Sequence, residues 1–277
     1  MSKFAEKVKE TPSRREPPYR PVMFISDEEK AELDAKIGDA SLYQDLFTMR
    51  EMVRTQPENM DLRRALVSGI ASAEFAGVDA FSRKVVEWQD WDVPHTLIMA
   101  MARQTWDEVR HANLALGLIE SYDGEIGEYP DTLAGGAPPS AAAQQAAQGG
   151  VGGGFAAVGE QLLRDPVVSL SMTNVSLEGG ALVLFQETSK VGEKIGDHLM
   201  AHCYDYNWAD EVTHTAIGDF FVKLLTEDKP EEEAKALRVH AMAEAFRARL
   251  SGQQSEELKE FFADEMERAN LALGAHG

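Results

Sequence analysis

A chain of 277 residues is long enough for one large domain or two small ones, and its 44% hydrophobic content is that of a globular protein with a real core. A formal net charge of −20 argues against a nucleic-acid or anionic-membrane binder, since both need a positive surface. With Cys203 as its one cysteine, the chain has no internal disulfide and no cysteine-ligated iron cluster.

Residues 1–25 are charged and punctuated by Pro12, Pro17, Pro18 and Pro21, and read as an extended arm. They contain no apolar stretch of the kind a signal peptide needs, so Arg14-Arg15 is poor ground for export. No apolar run reaches membrane-spanning length, and the expectation is a cytoplasmic protein without a membrane partner. Residues 26–277 are expected to form a single all-α domain. Ser26 caps the acidic turn Asp27-Glu28-Glu29 at the start of a first short helix, and a second short helix is expected over about 41–54.

Four long helices follow, within about 57–228. The first runs from Pro57-Glu58 to about Trp88, with the stripe Leu62, Leu66, Ile70, Glu74, Gly77, Phe81, Val85 and Trp88. The second starts after Pro94 and carries Leu97, Met101, Gln104, Glu108, His111, Ala115 and Leu118. Periodicity is lost over about 125–164, where Gly, Pro and an Ala/Gln run make a low-complexity connection. Two antiparallel helix pairs in ferritin-like topology need one long crossover at this place, and part of the segment is equally readable as an active-site lid. The third helix opens near Asp165-Pro166 with Val168, Ser171, Val175, Glu178, Leu182, Phe185 and Ser189, and Gly192 and Gly196 mark a turn. The fourth carries Met200, Tyr204, Asn207, Glu211, His214, Gly218, Phe221 and Leu225. Outer helices are expected at about 231–250 and 255–272.

Each long helix thus sets a glutamate in the middle of an apolar face: Glu74, Glu108, Glu178 and Glu211. Burying an unpaired carboxylate is costly enough that it protonates or finds a partner. No matching set of inward lysines or arginines stands at that level. The peptide Asp107-Glu108-Val109-Arg110-His111 also returns as Asp210-Glu211-Val212-Thr213-His214, each copy placing a carboxylate and an imidazole three residues apart on one helix face. Glu74 to Glu108 is 34 residues and Glu178 to Glu211 is 33, enough to climb a long helix, turn, and return to the same height. The set Glu74, Glu108, His111, Glu178, Glu211 and His214 therefore reads as six ligands for two metal ions. Four carboxylates neutralise two divalent cations, and oxygen and nitrogen donors without thiolate suit iron or manganese. Asp107 and Asp210 stand four residues before the histidines, positioned to accept their distal N–H groups, and Arg110 is a cross-helix partner for one of these aspartates.

This pattern resembles the ferritin-like di-iron carboxylate superfamily, over about residues 60–225. That superfamily includes multicomponent monooxygenases, ribonucleotide reductase small subunits, R2-like oxidases, acyl desaturases and arylamine N-oxygenases. The Asp-Glu-x-Arg-His form of the first motif is most similar to the oxygenase branch. Ala115 stands where the reductase subunits carry a radical tyrosine, while Gly77 and Thr173 replace the valine and tyrosine of the R2-like crosslink. The resemblance implies a ferritin-like four-helix bundle with a long crossover and added N- and C-terminal helices. It implies an O₂-activating non-haem di-iron oxygenase or oxidase with two Fe (Mn or mixed Mn/Fe being the alternatives), a small organic substrate, an external electron donor and a homodimer. The other reading is a ferritin-like iron-binding ferroxidase.

Small residues surround the ligands at helical spacing. Gly77, Ala112, Ala115, Ala181, Thr215 and Gly218 are candidate substrate-pocket residues, with close helix packing as the alternative. Gly179-Gly180 costs about 1 kcal/mol per glycine inside a helix, and reads either as packing or as a softened backbone beside Glu178. His198 and His202 read as a helical face, and Glu160, Glu187 and Glu193 as surface or loop. Trp106, Trp208, Tyr204 and Tyr206 read as core packing rather than an electron path.

Overall fold

The computed structural model describes residues 26–40, 43, 45–130 and 164–250, with side chains described throughout except at 242 and 244–250. Among the described residues all regular structure is helical, with no strand. The expected arm over 1–25, residues 131–163 of the crossover and the helix expected at 255–272 lie outside the described residues.

Helix α1 (Asp27–Ile37) begins on a reciprocal cap: the Glu29 N–H donates to Ser26 Oγ at 3.2 Å, and the Ser26 N–H donates to the Glu29 carboxylate at 3.0 Å. It ends at Gly38, whose φ of +88° a side chain would resist. Helix α2 (Leu46–Thr55) starts later than expected because Asp45 caps it, accepting from the Thr48 N–H at 3.1 Å. Then come α3 (Met60–Glu87), a 3₁₀ turn (Trp88–Asp90) and α4 (His95–Ser121). Helix α5 (Pro166–Leu170) passes through a π-helical turn (Ser171–Leu177) into α6 (Glu178–Ile195). Helices α7 (His198–Thr226) and α8 (Pro230–Leu250) complete the order.

The chain divides into two compact units, each assembled from several segments. The first comprises Met1–Ala80, Thr105–Ser140 and Glu187–Tyr204. It buries Leu33 and Ile37 of α1, Met49 and Val53 of α2, and Leu62, Leu66 and Ile70 of α3. Burial of each such side chain contributes on the order of 1.5–3 kcal/mol. Asp197 ties its ends together: it caps α7 by accepting the Met200 N–H at 3.0 Å, accepts the Tyr122 hydroxyl at 2.7 Å and pairs with Arg63 at 3.1 Å. Burial and this hydrogen bond push the Tyr122 hydroxyl well above its ordinary range, so it remains a donor.

The second unit comprises Phe81–Gln104, Ala141–Gln186 and Asp205–Gly277. Its core gathers Phe81, Trp88, Leu97, Met101, Leu170 and Phe221, with Val85 and Ile217 packed against them. The Trp88 indole donates to the Arg164 carbonyl at 3.0 Å. Asp165 caps α5 through the Val167 and Val168 N–H groups and takes Lys235 of α8 at 2.7 Å. Helix α8 packs on α5 and on the π turn.

The π turn corrects the stripe expected for the third long helix. Regular steps of three and four put Val175 inward, but Val175 is only half-buried while Asn174 is fully buried. Wide turns of this kind carry one more residue than an α-turn, which rotates the inward face. The Ser176 hydroxyl donates to the Ser171 carbonyl at 2.9 Å and the Thr173 hydroxyl to the Ser169 carbonyl at 2.7 Å, so side chains compete for the carbonyls of the regular ladder. Pro166–Ile195 is long and apolar enough on average to cross a membrane, although Asn174 and Glu178 interrupt it and 56% of its most apolar window is buried within the protein.

Candidate metal centre

In the first unit, α3 supplies Glu74 and α4 supplies Glu108 and His111, all at most 5% exposed. One ligand atom from each lies within 4.8 Å of the other two. The Nδ1 atom of His111 is the one that faces the carboxylates, 3.2 Å from Glu74 Oε2 and 3.8 Å from Glu108 Oε2. Gly77, one turn after Glu74, explains how Glu108 fits: a Cβ there would lie 2.9 Å from Glu108 Oε2. The small volume at Gly77 is thus already filled by a candidate ligand. Ala112 and Ala115 are buried on α4.

In the second unit, Glu178 opens α6, and α7 supplies Glu211 and His214. Ligand atoms of these three also lie within 4.8 Å of one another, and all are buried. His214 Nδ1 stands 3.1 Å from Glu211 Oε2. Both histidines therefore turn the same ring nitrogen toward their carboxylates. A neutral imidazole that offers Nδ1 carries its proton on Nε2, which then needs an acceptor.

The charged neighbours sit as follows. Asp107 is 2% exposed and pairs with Arg110 at 2.5 Å, one turn along its own helix. Asp210 is half-buried, 3.9 Å from Arg103. Ala181 and Thr215 are half-buried, and the Thr215 hydroxyl is turned back onto the Glu211 carbonyl at 2.9 Å. Gly218 is a close approach: a Cβ there would lie 2.7 Å from Asn174 Cβ. Gly179 and Gly180 face open space, so packing does not account for them.

A buried polar chain joins this second group, and the sequence reading assigned it no role. Gln104 Nε2 donates to Glu178 Oε1 at 2.7 Å, and Asn174 Nδ2 donates to Gln104 Oε1 at 2.6 Å. Thr173 Oγ1 stands 3.1 Å from Asn174 Oδ1 and accepts from Lys84 Nζ at 2.5 Å. Gln104 stood in the ligand stripe, and the run Ser171-x-Thr173-Asn174-x-Ser176 was a readable signal, being too polar for a buried helix without partners. Lys84 carried no such signal. Asn207, one turn before Glu211, is fully buried with neither amide atom bonded within the described protein.

The remaining polar candidates sort by exposure. His198, His202 and Glu193 lie exposed, and Glu187 pairs with Lys190 at 2.6 Å near the surface; Glu160 lies outside the described residues. Tyr204 is buried, its hydroxyl pushed well above its ordinary range by that burial, whereas Trp106 is 62% and Tyr206 45% exposed, so neither is core. No family model, curated protein or solved structure matches this chain.

Proposed function

We propose that each buried triad holds a metal ion, and that the protein, read as a ferritin-like helical bundle, is an O₂-activating non-haem di-iron oxygenase or oxidase. The observation that carries this reading is the repetition of one donor set. Each triad gathers two carboxylates and a histidine ring nitrogen within 4.8 Å, all buried. Burying carboxylates is costly unless positive charge stands beside them, and two divalent cations would supply such charge to both triads. Six oxygen and nitrogen donors without thiolate suit iron, with manganese or a mixed pair as the alternatives.

In this reading Glu74, Glu108 and His111 hold one ion and Glu178, Glu211 and His214 the other. Their burial excludes bulk water, which strengthens each electrostatic contact and protects reactive chemistry from it. Asp107 and Asp210 are assigned to accept the Nε2 protons and so fix the tautomers that leave Nδ1 free to bind. When bound, two ferrous ions would supply two of the four electrons that take O₂ to the level of water, the C–H or N–H bond of a small organic molecule supplying the other two. One external electron pair per turnover would return the ions to the ferrous state, since the chain carries no nicotinamide or flavin fingerprint of its own.

The first test is metal content after anaerobic ferrous reconstitution, followed by stopped-flow absorbance on mixing with O₂. The expected result is about two irons per chain and an O₂-dependent transient in the visible region. Iron uptake far beyond two per chain with no substrate oxidised would favour the ferroxidase reading instead. No stoichiometric metal would sink the central assignment.

A further inference from the structure

We infer that Asn207 and the Trp208 indole form a recognition site for a carboxamide group on a neutral small molecule, beside the triad of Glu178, Glu211 and His214. The inference deepens the reading above by naming the substrate's polar group, and rests on it for the metal at that triad. Asn207 is fully buried, and among the described residues neither its Nδ2 nor its Oδ1 has a hydrogen-bond partner. Trp208 follows it, half-buried, with its Nε1 atom buried and equally unbonded. Buried amides left unbonded at both ends are costly and rare in native proteins. The repeated motif supplies a comparison. Gln104 stands four residues before Glu108, as Asn207 stands four before Glu211. The Gln104 amide is engaged at both ends, donating to Glu178 Oε1 at 2.7 Å and accepting from Asn174 Nδ2 at 2.6 Å. Asn207 is one methylene shorter, and its amide is left for a group from outside the chain.

Position favours a ligand next to the metal. Residues three and four apart are neighbours on a helix, so Trp208 and Asn207 both border Glu211. Within this unit Gly218 of α7 meets Asn174 and Glu211 meets Glu178, so α7 runs down as α6 runs up. Residues after Glu178 and residues before Glu211 thus lie on one side of the triad. The backbone there includes Gly179-Gly180, where an added Cβ would meet nothing within 4 Å. The bonding groups then select the ligand. An asparagine amide sets an acceptor beside a donor, which matches the edge of another amide: the partner's carbonyl takes an Nδ2 hydrogen and its N–H reaches Oδ1. The Trp208 indole only donates, and suits the second lone pair of that carbonyl. An ionised carboxylate has no hydrogen to offer and would set oxygen against Oδ1. Charge agrees, since the Glu178 and Glu211 carboxylates balance one divalent cation and a chain of net charge −20 repels anions.

Acetamide is the probe, followed in the metal-free chain by proton–nitrogen NMR. The chain has four tryptophans, and the spectrum of Trp208→Phe identifies the indole signal of Trp208. The expected result is a saturable shift of that signal and of the Asn207 side-chain amide, with the other indoles unmoved and acetate at least about tenfold weaker. Asn207→Leu should weaken the acetamide response by at least about tenfold. Should that variant fail to fold by circular dichroism, Asn207→Ala is read in the same way. No shift at the highest acetamide concentration that leaves the fold intact would overturn the inference, as would an equal response to acetate or in the folded Asn207 variant. Metal content is measured separately on the unaltered chain. A chain that responds to acetamide but takes up no metal loses the metal reading and keeps the amide site; one that takes up metal and ignores acetamide loses this inference alone.

Discussion

Glu74, Glu108, Glu178 and Glu211 are between 1% and 8% exposed, and a metal-free protein must tolerate all four carboxylates. Glu108→Gln keeps the shape beside Gly77 and removes one charge. In chelator the variant should melt higher than the unaltered chain, since holding an ionised carboxylate out of water costs on the order of several kcal/mol and a neutral amide of the same shape much less. With metal present the order should reverse, and metal content should fall by about one ion per chain. Thermal melts with and without chelator, beside elemental analysis, check both signs. Cys203 gives an independent probe of the first unit. Burial, with Asp197 nearby, holds its thiol above the ordinary value, so at pH 8 less of it is thiolate than in the unfolded chain. Its reaction with a disulfide reagent should run at least about tenfold slower in the folded protein. The rate should keep rising with pH beyond the point where a free thiol levels off. Reaction at the unfolded rate would mean that the Asp197 corner opens freely.

The element that most rewards comparison with the sequence is the helical stretch from Pro166 to Ile195. Its start was legible in Asp165-Pro166, a capping carboxylate before a proline that needs no N–H. The π turn was not, because a stripe drawn at steps of three and four passes through Ser171, Val175 and Glu178 without visible strain. Only the hydroxyl and amide bonds of Thr173, Asn174 and Ser176, made in three dimensions, show that the ladder is widened there. Gly179-Gly180 follows at once, and each glycine lowers helix stability by about 1 kcal/mol relative to alanine. Since a Cβ at either site meets only open space, Gly179→Ala and Gly180→Ala should each stabilise the metal-free chain by about 0.5–1 kcal/mol. At this chain length that is roughly 1–4 °C in melting midpoint. Destabilisation at either site would mean that its surroundings are closed rather than open.

For the chain as a whole, the sequence already carried the four stripes, and their inward positions Leu66, Glu74, Met101, Glu108, His111, Phe185, Glu211 and His214 are buried. Periodicity reads a face well because each inward residue is set by its own helix. It does not read what reaches across, so Lys84, on the first stripe's helix but off the stripe, and the role of Gln104 came only with the structure. The same distinction between surface and interior governs the response to ions. The chain carries a formal charge of −20, and among the described residues most carboxylates lie outside the buried class, where salt screens their mutual repulsion within about 10 Å at 0.1 M. The six candidate ligands are buried, where screening is weak. Raising NaCl should therefore lift the melting midpoints of metal-free and metal-loaded protein together. The gap between them should persist. At a free metal concentration about a hundredfold above Kd, one site contributes about 2.7 kcal/mol, or at least about 5 °C here. Melts at 20 and 500 mM NaCl, each with chelator or with ferrous iron under anaerobic conditions, measure that gap. A gap that closes at high salt would place the cations on the acidic surface and leave the buried carboxylates unexplained, whereas one that holds at both salts locates the binding among residues that solvent does not reach.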